Sequence, residues 1–95
     1  MNQTKVKLKF PTQLSKFINH ADTVHFEGGR VIDLIDSLES IYGNVKERLM
    51  EEENTRIRPY FNLFIGRNNI NTLEGLYSVI PEGETLSILL ARAGG

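Results

Sequence analysis

Residues 30–42 read RVIDLIDSLESIY. Val31, Leu34, Ile35, Leu38, Ile41 and Tyr42 recur at the three- and four-residue spacing of one helix face, and Asp33, Asp36, Ser37 and Ser40 fall opposite them. Gly28 and Gly29 are tolerated at the start of such a helix, and Gly43 stands where a left-handed residue ends one. A helix of about 12 residues does not persist alone in water, so this apolar stripe needs a sheet to lie on.

The flanking sequence supplies the strands. Before the helix, Val6, Leu8 and Phe10 alternate with Lys5, Lys7 and Lys9, which predicts a strand with one buried and one wet face. Pro11 stops it, TQLSKFINHA (12–21) reads as a loop anchored by Leu14, Phe17 and Ile18, and DTVHFEG (22–28) carries a second strand with Val24 and Phe26 on one side. These two strands form a hairpin with a long connection.

After the helix, Val45, Leu49 and Met50 mark a short amphipathic turn, followed by an acidic polar loop through Glu51, Glu52 and Glu53. YFNLFIG (60–66) predicts a strand with Phe61, Leu63 and Ile65 inward and Asn62 and Phe64 outward. Asn68 and Asn69 tolerate positive φ in the next turn, which leads to a short edge segment around Ile70. PEGE (81–84) is another turn, and TLSILLA (85–91) is the last strand. The order strand, strand, helix, strand, short strand, strand predicts an α+β fold of the ubiquitin-like β-grasp type. One main helix covers one face of a mixed sheet, and the last strand lies in the middle beside the first.

The chain has 95 residues, 11 basic and 12 acidic, and a net charge of -1. That length makes one domain, residues 1–95, with a globular body over about 4–90 and a loose tail over about 91–95. Without cysteine there is no disulfide framework and no thiolate nucleophile or ligand. Neither charge sign forms a long block, which argues against a nucleic-acid partner, and MNQTKVKLKF is neither a signal peptide nor a membrane span. A soluble cytoplasmic protein, monomeric when free, is expected.

Enzymatic constellations are missing. His20 and His25 have no metal-ligand spacing, adjacent glutamates do not converge on one point, and EGGR (27–30) lacks the Lys-Ser/Thr of a P-loop and the third glycine of a dinucleotide fingerprint. Two features stand above this background: the outward Phe64 and the closing pair Gly94-Gly95. With 8 glycines in 95 residues, chance gives such a terminal pair in about one sequence in a hundred.

The segment RIRPYFNLFIGRNNINTLEGLYSVIPEGETLSILLARAGG (56–95) resembles the C-terminal half of the ThiS/MoaD family of ubiquitin-like sulfur carriers, which share an NVFVNG-type strand, an LEGLDT stretch, a GDEVSI stretch and a terminal AGG. IDSLESIYGNVKERLM (35–50) and VKLKFPTQL (6–14) are similar to the CysO-like branch, so the resemblance spans nearly the whole chain. It departs where members often carry Pro-Ala-Val: here stand Leu90, Ala91 and Arg92, without the stiffening proline and with a charge at a commonly apolar position.

The resemblance implies a carrier protein acted on by enzymes rather than an enzyme. An E1-like adenylating enzyme would use ATP to convert the Gly95 carboxyl into an acyl adenylate, and sulfur would displace the adenylate to leave a thiocarboxylate. No cofactor or metal is bound by the carrier itself. The tail Ala91, Arg92, Ala93, Gly94, Gly95, extended at about 3.3 to 3.6 Å per residue, reaches about 17 Å into the activating enzyme, and glycine lets the backbone lie close to the channel walls. An apolar patch on the sheet face opposite the helix would dock on partners; Phe64, Leu89 and Leu90 are its candidates, Leu89 because it breaks the alternation of Leu86 and Ile88. The expected acceptor is a pyridoxal-phosphate-dependent synthase making cysteine, homocysteine or a related sulfur compound. The alternatives are the small subunit of molybdopterin synthase and a ubiquitin-like modifier that forms isopeptide bonds with lysine.

Overall fold

The computed structural model describes residues 3–51 and 56–91. Five strands, β1 (Thr4–Lys9), β2 (Thr23–Phe26), β3 (Phe61–Ile65), β4 (Asn68–Asn69) and β5 (Thr85–Leu90), make one mixed sheet in the order β2-β1-β5-β3-β4. β1 and β5 are parallel neighbours at its centre, and every other pairing is antiparallel. Helix α2 (Val31–Tyr42) follows α1 (Thr12–Ser15) and precedes α3 (Val45–Leu49). The expected β-grasp is therefore present, with β5 beside β1 in the middle.

Alternation dictates the core. Val6 and Leu8 of β1, Val24 and Phe26 of β2, Phe61, Leu63 and Ile65 of β3, and Leu86 and Ile88 of β5 are buried against Val31, Leu34, Ile35 and Leu38 of α2. Lys5, Lys7 and Lys9 stand exposed on the other face, as their parity requires. Ile41 departs from expectation. It is in phase with Leu34 and Leu38 but 58% exposed, because burial needs a facing surface as well as the right period, and the last helical turn has none there.

Several local features also differ from the sequence reading. Residues 12–18 are helical rather than a loop: the Pro11 carbonyl accepts from the N–H groups of Leu14 and Ser15 and nucleates α1, and a 3₁₀ turn (Lys16–Ile18) continues it. Leu14 and Ile18 are buried anchors, as expected, and Phe17 is half-buried under Lys16 and Arg48. Gly43 has positive φ (77°) but extended ψ (158°), so the left-handed residue is Asn44. The sharp turn after β3 falls on Gly66 (φ 60°), which leaves Asn68 and Asn69 as the short strand β4 and Ile70 in a 3₁₀ turn.

Two carboxylates join the helices to the rest. Asp33 Oδ2 accepts from the Arg30 backbone N–H (3.0 Å) and from Arg30 Nε (3.1 Å) at the start of α2. That hydrogen bond to the guanidinium is the main cause holding the Asp33 carboxyl below its ordinary value of 3.8. Glu39 Oε1 accepts from the N–H groups of Val45 (2.9 Å) and Lys46 (2.8 Å), satisfying two orphan donors at the start of α3. Helix α3 then buries Val45 and Leu49, with Met50 after it. Glu51 lies at the border of the described residues, whereas Glu52 and Glu53 of the expected acidic loop lie outside them.

Candidate functional site

The last described residue, Ala91, extends the β3–β5 ladder by one step beyond the Phe61–Leu90 pair: its N–H donates to the Tyr60 carbonyl oxygen at 2.7 Å. This is the root of the C-terminal tail. Arg92, Ala93, Gly94 and Gly95, four of the residues singled out in the sequence, lie outside the described residues.

Three exposed apolar side chains, Tyr60, Leu89 and Leu90, lie around that root. Leu89 is 50% exposed and opposes Asn62, on the sheet face away from α2. Leu90 follows the parity of Leu86 and Ile88 and opposes Phe61, yet it is 44% exposed because the strand end runs past the core. The two leucines thus point to different faces of one strand end. Tyr60 is 50% exposed and packs its ring on Phe61 with centroids 4.7 Å apart.

Phe64 lies on the face away from α2, as its parity requires, but it is half-buried rather than projecting. It lines a shallow groove of about 590 Å³ together with Leu89, Leu90, Phe10, Lys9 and Arg67. The register explains the construction: Lys9 opposes Ser87, Ser87 opposes Phe64, and Phe64 opposes Asn69, so one row of side chains crosses four strands. Phe64 is therefore a half-buried wall of this groove rather than a fully exposed side chain, on the outward face that its parity requires.

Tyr60, Lys9 and Arg67 were not legible as site residues. The aromatic pair Tyr60-Phe61 was a signal for the first, while the other two depend on register across strands distant in sequence. Among the described residues no group of three or more His, Cys, Asp or Glu could hold a metal ion. His20 pairs its Nδ1 with Ser15 Oγ at 3.2 Å, and His25 is exposed opposite Lys5 on the sheet. No helix among the described residues is long and apolar enough to cross a membrane. Chemically, the site is a partly apolar groove with two cations in its lining, beside the residue from which the C-terminal segment departs.

No family model matches the chain. It is 28% identical over 91 residues to the sulfur carrier protein CysO of Mycobacterium tuberculosis, covering 95% of this chain and 98% of that one. A chain in the crystal structure of the Amycolatopsis orientalis BexX/CysO complex is 30% identical, with a TM-score of 0.80 and coverage of 95% of this chain and 99% of that one. The small archaeal modifier protein 1 of Methanosarcina acetivorans is 26% identical, with a TM-score of 0.73 and complete coverage of both chains. With identity of this order along almost the whole length and the same fold, the chain belongs to the ThiS/MoaD family of ubiquitin-like sulfur carriers, in its CysO-like branch.

Proposed function

We propose that this chain carries sulfur on its own C-terminus for the biosynthesis of cysteine, homocysteine or a related compound. A free carboxylate resists attack by a sulfur nucleophile, since its charge opposes the approach and oxide is no leaving group. An E1-like adenylating enzyme removes both obstacles: the Gly95 carboxylate attacks the α-phosphorus of ATP, pyrophosphate leaves, and an acyl adenylate forms. A sulfide-equivalent nucleophile then adds to the Gly95 carbonyl carbon, AMP departs with the bonding pair, and the terminal thiocarboxylate remains. That thiocarboxylate is a better nucleophile than the carboxylate: its sulfur displaces the leaving group of an electrophilic substrate carbon held by a pyridoxal-phosphate-dependent synthase, and hydrolysis of the resulting thioester at the Gly95 carbonyl leaves the sulfur on the product and restores the Gly95 carboxylate.

In this scheme the carrier contributes no acid, base or metal, and ATP belongs to the partner. From the sheet-bound Ala91 onward, Arg92, Ala93 and Gly94 thread the reacting group into the partner, and the absence of Cβ at Gly94 and Gly95 allows a narrow channel. The observation that carries the reading is the Tyr60–Ala91 hydrogen bond: it holds Ala91 to the sheet one residue after Leu90, close to the groove walled by Phe64 and Leu89, which supports a scheme in which docking and threading take place side by side. The names of the curated relatives support the same reading.

The reaction is tested by ATP–pyrophosphate exchange with the adenylating enzyme of the same organism. The full chain should support exchange, the chain lacking Gly95 should not, and Gly94→Ala should lower kcat/KM with the fold intact. Exchange that is equal with and without Gly95 would refute the scheme. The similarity to an archaeal modifier favours a second reading, in which a lysine amine of a target protein attacks the same adenylate to form an isopeptide bond. Gly-Gly remnants on lysines of host proteins would distinguish it.

A further inference from the structure

We propose that the open edge of β3 takes an extended segment of a partner protein as an added strand, with apolar side chains along its inner face and a carboxylate set against Arg58. On one side β5 pairs with the whole of β3, from Phe61 to Ile65, whereas on the other β4 pairs with Phe64 and Ile65 alone. No strand therefore pairs with Phe61, Asn62 or Leu63 on the β4 side. Two bonds fix which backbone groups face that way: the Tyr60 carbonyl accepts from the Ala91 N–H (2.7 Å), and the Gly66 N–H donates to the Thr85 carbonyl (2.9 Å). The alternation of an antiparallel ladder then gives the backbone groups of Asn62 and Phe64 to β5 and turns those of Phe61 and Leu63 to the other side. The Arg58 carbonyl accepts the Phe61 N–H (3.0 Å), which leaves the Phe61 carbonyl and the Leu63 N–H at the edge without a strand partner.

A groove of about 580 Å³ lies along this edge, between segment 56–59 and the 3₁₀ turns Ile70–Thr72 and Gly75–Tyr77 that follow β4. Its walls keep apolar surface in reach of a ligand, because Ile57 and Leu76 are only half-buried and Tyr77 is exposed. Three charged side chains line it: Arg56, Arg58 and Glu74. Arg56 is paired with Glu51, and Glu74 is exposed on the opposite wall, outside the ion pairs among the described residues. Arg58 is different. Its Nη2 donates to the Glu47 carbonyl at 2.9 Å, but its Nε is buried and has no partner among the described residues.

An edge with a free carbonyl and a free N–H pairs with extended backbone, and a buried guanidinium nitrogen that lacks an acceptor is best satisfied by a carboxylate. A second copy of the chain is a poor occupant. Self-pairing about Asn62 is confined to Phe61–Leu63, since β4 already holds the next positions, Phe64 and Ile65. The chain's own C-terminal segment departs from the other edge, because Ala91 is bonded on the β5 side of β3. The groove shares no residue with the one walled by Phe64 and Leu89, so a partner here can stay bound while that face is engaged. The inference stands apart from the chemistry proposed for Gly95.

The test is a titration of the isotope-labelled full chain, followed by NMR, with the peptide acetyl-Val-Thr-Val-Thr-Glu-amide. Running in the direction of β4, this peptide sets both valines and the glutamate on one face and brings the glutamate to the Arg58 end. The signals of the Leu63, Asn71 and Tyr77 amides and of the Arg58 Nε–H should shift together, with a dissociation constant of about 1 mM. Replacing the peptide's glutamate by glutamine should weaken binding at least about fivefold, and lysine should weaken it further. Arg58→Gln should remove the preference for glutamate; if that variant does not fold, the three peptides on the wild-type chain decide. Equal affinity for the three peptides, or no shift at these positions at about 5 mM peptide, overturns the inference. So does a shift of the same signals on removing residues 92–95, which would assign the groove to the chain's own tail, or on raising the concentration of the chain alone, which would assign it to a second copy.

Discussion

The backbone N–H of Ala91 donates to the carbonyl oxygen of Tyr60 at 2.7 Å, one step beyond the last side-chain pair of the β3–β5 ladder. This bond defines where the body ends and where the tail begins. Ala91 directly follows β5, the strand whose Leu89 lines the groove walled by Phe64.

Ala91→Pro removes that donor without adding a large side chain. The expected cost in stability is about 0.5–1.5 kcal/mol, the range of a single hydrogen bond, read from chemical denaturation. The functional cost should be larger: KM for the carrier in pyrophosphate exchange rises because the tail root is no longer held at the groove rim. Unchanged exchange kinetics would show that the Tyr60–Ala91 bond has no part in presentation.

Phe64→Ala opens the groove wall. Since Phe64 is half-buried, its loss should destabilise by less than the about 3–5 kcal/mol of a fully buried phenylalanine, and the chain should stay folded by circular dichroism. Partner KM should rise at least about tenfold, which corresponds to about 1.4 kcal/mol of lost binding. Normal KM in a folded variant would remove Phe64 from the docking surface.

Asp33 makes stability pH-dependent. The hydrogen bond from Arg30 lowers its folded-state pKa below the ordinary value of 3.8, so the carboxylate form stabilises the fold. That contribution is complete above the ordinary value and disappears as pH falls through the lower folded-state value. Asp33→Asn should therefore be less stable than wild type at neutral pH, and the gap should close under acid, in denaturation curves compared across pH. A gap that widens on acidification would contradict the assignment.

Glu39→Ala leaves the N–H groups of Val45 and Lys46 without their acceptor, and loss of a cap of this kind costs about 1–2 kcal/mol. Glu39→Gln retains an acceptor oxygen and should recover most of it. Amide exchange would place the loss in α3, with faster exchange at Val45 and Lys46 than in the central strands.

Most of the scaffold was legible because two periods expose it: the 3.6-residue stripe through Val31, Leu34, Ile35 and Leu38, and the two-residue alternation in β1, β3 and β5. The outward face of Phe64 followed from the same alternation. What periodicity could not reveal was depth and register. Ile41 keeps the phase of the stripe yet meets no facing surface, and Phe64 is sunk between neighbours that only the strand pairing identifies. Residues 12–18 hid a helical turn because its nucleus is a backbone carbonyl, that of Pro11, which leaves no side-chain pattern. Positive φ after β3 went to Gly66 rather than to Asn68 or Asn69, since glycine bears no Cβ penalty there. Lys9 and Arg67 join the site only through pairings between strands at opposite ends of the chain.

The central claim is that Gly95 bears the sulfur, and the most direct measurement is the intact mass of an N-terminally tagged copy isolated gently from its own host, beside a copy lacking Gly95. The account predicts a fraction of the full chain heavier by the difference between sulfur and oxygen, removed as such by alkylation and missing from the truncated copy. An unmodified full chain, with the tag found instead on larger host proteins, would contradict it and assign the tail to conjugation.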